Sequence, residues 1–179
     1  MVKKNKNVIF LDRDGVINKT RIINGKPFAP TRFSDFKIFK YTKNCLKRLN
    51  KKFIILIITN QPDIGNKVLE KKEFNKMCSF LKKKHPIKEV YFCPHKKEDG
   101  CDCRKPNVGL LKKAYSKYLF NKKKTFMIGD RNSDMIAAKQ FGIKPIFIDR
   151  NYKEEKPLIS IPRFKNLVKA VSYVTNKQL

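Results

Sequence analysis

With 179 residues, 41% of them hydrophobic, the chain is long enough for one core, and a single domain over 1–179 is expected. Its 43 Lys and Arg against 15 Asp and Glu give a formal net charge of +28, carried by 35 lysines and eight arginines scattered over every predicted helix. No basic stripe interleaved with aromatics appears and no apolar run approaches the ~20 residues of a membrane span, so neither a specific nucleic-acid partner nor a membrane is expected.

Short apolar strands alternate with amphipathic helices, the pattern of a doubly wound, mainly parallel α/β sheet covered on both faces. Val8–Leu11 is the first strand. Behind a basic start it is too short for a signal core, and Asp12 follows at once, so a cytoplasmic protein is expected. An irregular stretch, Gly15–Phe36, leads to a helix near Tyr41–Leu49 and a second strand, Phe53–Ile58. The next helix, Leu69–Lys83, places Phe74, Met77, Cys78 and Leu81 on one face. Glu89–Phe92 is a third strand, followed by a helix with Leu111, Ala114, Tyr115 and Tyr118 at the same spacing. Thr125–Ile128 is the fourth strand, and Asn132–Phe141 a helix with Asn132 as N-cap and Gly142 as its stop. Pro145–Ile148 is the fifth strand, and a last helix shows Phe164, Leu167, Val168 and Val171 on one face. In such a sheet, ligands bind beyond the carboxyl ends of the strands.

Asp12-Arg13-Asp14-Gly15 follows the first strand directly. Gly129-Asp130-Arg131 follows the fourth, with Asp134 four residues past Asp130. Turn and helix-start preferences explain any one of these carboxylates. They do not explain why acidic groups, only 15 in so basic a chain, gather at both strand ends, where repulsion is costly without a cation between them. Oxygen-only ligands, incomplete protein coordination and room for phosphate oxygens describe Mg²⁺. With that charge screened, Asp12 suits an in-line nucleophile on phosphorus and Asp14 an acid–base. Thr59-Asn60-Gln61 at the end of the second strand offers donors to phosphoryl oxygens, and Arg104-Lys105-Pro106 supplies positive charge ahead of a helix.

Cys93-Pro94-His95 and Cys101-Asp102-Cys103 place three of the five cysteines and one of the two histidines within eleven residues. Three thiolates and an imidazole complete a tetrahedral zinc shell, and a closed shell has no open position for catalysis, so a structural Zn²⁺ is expected. The odd cysteine total argues against a disulfide framework. Cys45 and Cys78 fall on helix faces as core residues, and His85 has no assigned role.

The strings "FLDRDGVIN", "ITNQPD", "CPH…CDCRKP" and "IGDRNSDMIAA" occur in order from Phe10 to Ala138, and in this the chain resembles the haloacid dehalogenase superfamily. The resemblance is strongest to the subgroup holding heptose-bisphosphate and histidinol-phosphate phosphatases. It implies a Rossmann-like sheet with a zinc loop and no large cap domain. It implies Asp12 as nucleophile and Asp14 as proton donor, with Thr59 and Lys105 stabilising the phosphoryl group. Asp12, the backbone carbonyl of Asp14 and Asp130 would hold Mg²⁺, with Arg131 beside the metal as a contributor. Substrate contacts are expected from Arg13, Thr20, Arg21, Ile22, Ile23, Asn60, Gln61, Pro62, Arg104 and Arg131, and zinc on Cys93, His95, Cys101 and Cys103.

The expected activity is Mg²⁺-dependent hydrolysis of a small phosphorylated metabolite through an aspartyl-phosphate, by a monomer. The first choice of substrate is a heptose bisphosphate, because Pro62–Lys67 follows the shape of that branch and Arg21, Lys67, Lys96 and Arg104 suit a second phosphate. The arginine usual near the end of that segment is absent. Histidinol phosphate is the alternative, since both branches share the zinc loop and "CRKP". A nucleic-acid 3′-phosphatase is a more distant one.

Overall fold

The computed structural model describes residues 7–157 and 160–176; the basic start, residues 1–6, lies outside the described residues. Six strands form one parallel sheet in the order β5-β4-β1-β6-β7-β8, from β1 (Asn7–Leu11), β4 (Phe53–Asn60), β5 (Ile87–Cys93), β6 (Phe126–Gly129), β7 (Lys144–Ile148) and β8 (Arg163–Phe164). Five of these are the expected strands, with ends moved by a few residues. The sixth corrects the sequence reading: Phe164 lies in a two-residue strand hydrogen-bonded along β7, not in the last helix. Its ring still packs on Tyr173 of that helix, at 5.2 Å between centroids, which is why it fell into the helix's apolar pattern. The irregular stretch also contains an antiparallel hairpin, β2 (Arg21–Ile23) and β3 (Lys26–Phe28).

Period-2 alternation divides the strands between two layers. Ile9, Leu11, Ile55 and Ile57 face one layer, packed by α1 (Thr42–Asn50), α3 (Lys71–Lys84) and α6 (Leu167–Asn176). Val8, Phe10, Leu56 and Ile58 face the other, packed by α4 (Gly109–Tyr118) and α5 (Asn132–Phe141). The buried face of α4 is Leu110, Leu111 and Ala114. Tyr115 remains 37% exposed and lies edge-on to Phe120, so the expected apolar face is rotated toward the helix start. α5 begins and ends where expected, but its N-cap position is Arg131 rather than Asn132. Gly142 at φ 81° closes it, a backbone conformation that favours glycine. A short α2 (Pro62–Gly65) follows β4.

The sheet order puts β1 between β4 and β6, so the chain leaves the central strand toward opposite sides. The carboxyl ends of β1 and β6 therefore flank the crevice of a doubly wound sheet. One test of this core is Phe53→Ala. Phe53 is fully buried and meets Phe126 edge-on at 6.1 Å, so truncation should cost about 3–5 kcal/mol, read as a lower denaturant midpoint at unchanged m.

Candidate active site

β1 gives way to the site where the Asp12 amide donates to the carbonyl of Ile128, at 2.9 Å, just past the last paired residues of β1 and β6. Three residues on, Gly15 adopts φ 83°. A Cβ there would overlap the Asp130 carboxylate and crowd the Tyr152 hydroxyl, so only glycine lets this loop close on β6. Asp12, Asp130 and Asp134 offer carboxylate oxygens within 4.8 Å of one another, and all three are buried.

One buried ammonium lies among them. Lys105 Nζ donates to Asp12 Oδ1 at 2.6 Å and to the Ile58 carbonyl at 2.8 Å, and it forms an ion pair with Asp134. Asn60 fixes the lysine's backbone: its Oδ1 accepts from the Lys105 amide and its Nδ2 donates to the Lys105 carbonyl, both at 3.0 Å. Burial opposes the charge on Lys105, but Asp12 and Asp134 outweigh it and hold the pKa above the ordinary value. One ammonium does not neutralise three carboxylates. Burial raises Asp12 to about 6, with relief from Lys105 and repulsion from Asp134 and Asp14. Burial, then repulsion from Asp12 and Asp134, pushes Asp130 well above the carboxylate range. Asp130 Oδ1 has no hydrogen-bond partner among the described residues.

Asp14 is held by a separate set of donors. Arg13 Nη2 reaches Asp14 Oδ2 at 2.9 Å, Gln61 Nε2 at 2.7 Å, and Asn18 Nδ2 reaches Oδ1 at 2.9 Å. A cleft of about 220 Å³ opens over both aspartates. Its walls include Thr20, Lys26, Asn60, Pro62, Asp63, Lys105, Asp130, Arg131, Asp134 and Glu154.

Several expected residues lie elsewhere. Arg13 is fully buried between the Phe36 and Phe74 rings, 5.6 and 5.2 Å from their centroids, and is spent on Asp14, so it cannot meet a substrate. Gln61 is buried and bridges Asp14 and Thr59, and the Thr59 hydroxyl accepts from it behind the cleft wall. Arg21, Ile22 and Ile23 are exposed on β2 and do not line the cleft, although Arg21 is near enough to favour the charged form of Asp63. Arg104 donates to the His95 carbonyl at 3.3 Å and is not part of the wall. Arg131 does line it, paired with Glu154 at 3.1 Å. A guanidinium has no lone pair to offer a metal, so Arg131 is no metal ligand. The third carboxylate of the cluster is Asp134, which the sequence reading counted among the gathering carboxylates but left out of the metal set. Its signal was the four-residue spacing from Asp130, which places it in the first turn of α5, back over the strand end. Gly129 is needed below it, where a Cβ would overlap the Asp134 side chain.

Cys93 at the end of β5, His95, Cys101 and Cys103 converge as expected. Cys93 Sγ lies 3.6 Å from His95 Nδ1 and 3.5 Å from Cys101 Sγ, and Cys103 Sγ lies 3.2 Å from His95 Nδ1 and 3.5 Å from Cys101 Sγ. A tetrahedron with bonds of ~2.1–2.3 Å has edges of ~3.5–3.8 Å, so the donors and spacing fit zinc. Against burial, hydrogen bonds from Cys103, Cys93 and the backbone bring Cys101 down to about 7. Cys45 and Cys78 pack with the core, as expected. No helix among the described residues is long and apolar enough to cross a membrane.

A family model for HAD-hydrolase-like proteins matches residues 102–170. A D-glycero-α-D-manno-heptose-1,7-bisphosphate 7-phosphatase of Campylobacter jejuni is 33% identical over 178 residues, 96% of this chain and 97% of its own. A D-glycero-β-D-manno-heptose-1,7-bisphosphate 7-phosphatase of Helicobacter pylori is 34% identical over 152 residues, 80% and 83% of the two chains. The crystal structure of a D,D-heptose 1,7-bisphosphate phosphatase from B. bronchiseptica, complexed with magnesium and phosphate, has the same fold. Its TM-score is 0.79 at 21% identity, over 94% of this chain and 97% of the other. A six-stranded parallel sheet with paired aspartates at its carboxyl edge, matched along nearly its whole length by such relatives, places the chain in the haloacid dehalogenase family, among its phosphatases.

Proposed function

We propose that the protein removes the 7-phosphate of D-glycero-D-manno-heptose 1,7-bisphosphate through an aspartyl-phosphate on Asp12, with Mg²⁺ at the carboxylates and a structural Zn²⁺ in the cysteine loop. The chemistry rests on one observation: three buried carboxylates converge at the carboxyl edge of the sheet, and a single ammonium pairs with two of them. The choice of sugar rests on the relatives. We infer a single-domain monomer acting in the cytoplasm, where reducing conditions leave the thiols free to bind zinc.

The carboxylate cluster fits a hard cation, because it is oxygen-only, over-charged, and holds a buried Asp130 oxygen without a partner. Asp12, Asp130 and Asp134 would hold Mg²⁺, which when bound screens the phosphate's charge against the attacking carboxylate. Lys105 occupies Oδ1 of Asp12. Oδ2 carries no hydrogen bond among the described residues and is the atom that attacks phosphorus. The bond from phosphorus to the sugar oxygen breaks, and Asp14 gives its proton to the leaving alkoxide. Asp14 then takes a proton from water as that water attacks phosphorus, which breaks the bond to Asp12 and releases inorganic phosphate. Arg13, Gln61 and Asn18 hold Asp14 in place for both transfers. The zinc loop, continuous with Arg104 and Lys105, sets where the ammonium enters.

Replacing Asp12 by Asn should lower kcat at least ~10³-fold while circular dichroism shows the fold retained, since an amide is no nucleophile and the covalent step has no substitute. Near-normal turnover, or a phosphorylated enzyme in that variant, overturns the mechanism. Zinc should be found at one equivalent per chain, and Cys101→Ser should lower zinc content and melting temperature together. Full occupancy in that variant contradicts the ligand set. The substrate is tested with both anomers of heptose 1,7-bisphosphate, histidinol phosphate and a 3′-phosphorylated oligonucleotide. The bisphosphate should give the highest kcat/KM, and equal or better turnover of another ester rejects the sugar.

A further inference from the structure

The hairpin of β2 and β3 forms part of the cleft wall, and it holds a cation that no motif singled out. Three basic residues line the cleft: Lys26, Lys105 and Arg131. Lys105 is committed to Asp12 and Asp134, and Arg131 to Glu154. Lys26 forms no ion pair among the described residues.

Most of the described lysines are exposed surface groups. Lys26 differs because its backbone is fixed on both sides. Before it, the Gly25 carbonyl accepts from the Lys153 amide at 2.8 Å. Gly25 adopts φ 79°, and the place a Cβ would occupy is filled by the Lys153 side chain. After it, Pro27 is buried, and its carbonyl accepts from Arg131 Nη2 at 3.1 Å. The same Nη2 binds Glu154, which leaves Nε and Nη1 of Arg131 without an acceptor among the described residues. An unpaired ammonium and the free edge of a guanidinium are thus joined through one proline, on the wall of a cleft whose floor is acidic. Such a pair faces a dianion well and a neutral or cationic group poorly, because charge-assisted donors left unpaired on binding lose their solvation without return.

We propose that Lys26 is a specificity-determining residue of this enzyme, the contact that reads the phosphate not being hydrolysed. The proposal rests on the sugar-bisphosphate reading above and goes beyond it by assigning the second phosphate to the hairpin. Arg104, directed at the His95 carbonyl, is not needed for it. The hairpin thereby replaces a cap domain as the reader of the substrate's far end.

The test is steady-state kinetics at saturating Mg²⁺ on wild type, Lys26→Met and Lys26→Arg. The substrates are heptose 1,7-bisphosphate and the corresponding heptose 7-phosphate. The ratio of their kcat/KM values should fall at least about tenfold in Lys26→Met, mainly through KM of the bisphosphate, and return to within about threefold in Lys26→Arg. Both substrates are measured on one preparation, so partial misfolding cancels from the ratio. If wild type prefers the bisphosphate and Lys26→Met keeps that preference, the proposal fails and the sugar-bisphosphate reading stands. If wild type itself shows no preference, that reading fails and takes this subsite with it.

Discussion

The interaction on which the site depends is the ammonium of Lys105, buried between Asp12, Asp134 and the carbonyl of Ile58. Burying an ion costs several kcal/mol, and removing one partner of a buried pair typically costs about 3–5 kcal/mol, because the other charge is left uncompensated. The surrounding chain is arranged so that this lysine has one place to be. Asn60 binds both backbone groups of Lys105, which ties its loop to the end of β4. Gly129 and Gly15 leave room for the Asp134 and Asp130 carboxylates against the strand ends. Even so, the charge does not close, and the excess of carboxylates is what makes the centre a cation site.

The second aspartate obeys a different constraint. Asp14 is two residues from Asp12 yet shares no donor with it. Its partner Arg13 is a fully buried arginine whose guanidinium lies against Phe36 and Phe74, and the second of these rings comes from α3. The aromatic layer beneath the sheet thus supports the arginine, which supports the carboxylate. Gln61 couples this arrangement to β4 by donating to Asp14 and Thr59 while accepting from Arg13. Packing on one face of the sheet and proton transfer at its edge are parts of one network.

The mouth of the cleft is built from segments with little regular structure. Arg150 donates to the Gly15 carbonyl and the Tyr41 hydroxyl, both at 2.8 Å, while covering the Phe39 ring, and so secures the loop after β1. The Lys153 amide and Glu154 bind the hairpin and Arg131 in turn. The substrate-facing wall therefore comes from residues far apart in sequence, around 20–29, 131 and 149–154. The net charge of +28 is absent from the floor of the cleft, where the acidic residues collect.

The sequence by itself determined the sheet, the order of the main elements, the aspartates after β1 and β6 and the cysteine loop. These are local properties: alternating apolar runs, carboxylates at strand ends, and four soft ligands within eleven residues. It also marked Lys105, through its motif. Only the tertiary structure decided which side chains face the cleft. Arg13 and Gln61 stand in motif positions but point into the interior, because the half-buried Asp14 carboxylate requires donors behind it. Lys26 and Glu154 join the cleft wall through Arg131, which binds the Pro27 carbonyl and the Glu154 carboxylate across more than 20 residues, and no local pattern encodes such contacts. Phe164 shows the same limit in the fold. Its apolar spacing fits a helix, but the free edge of β7 offered its backbone hydrogen bonds, and a partner's edge is invisible in the residue's own neighbourhood.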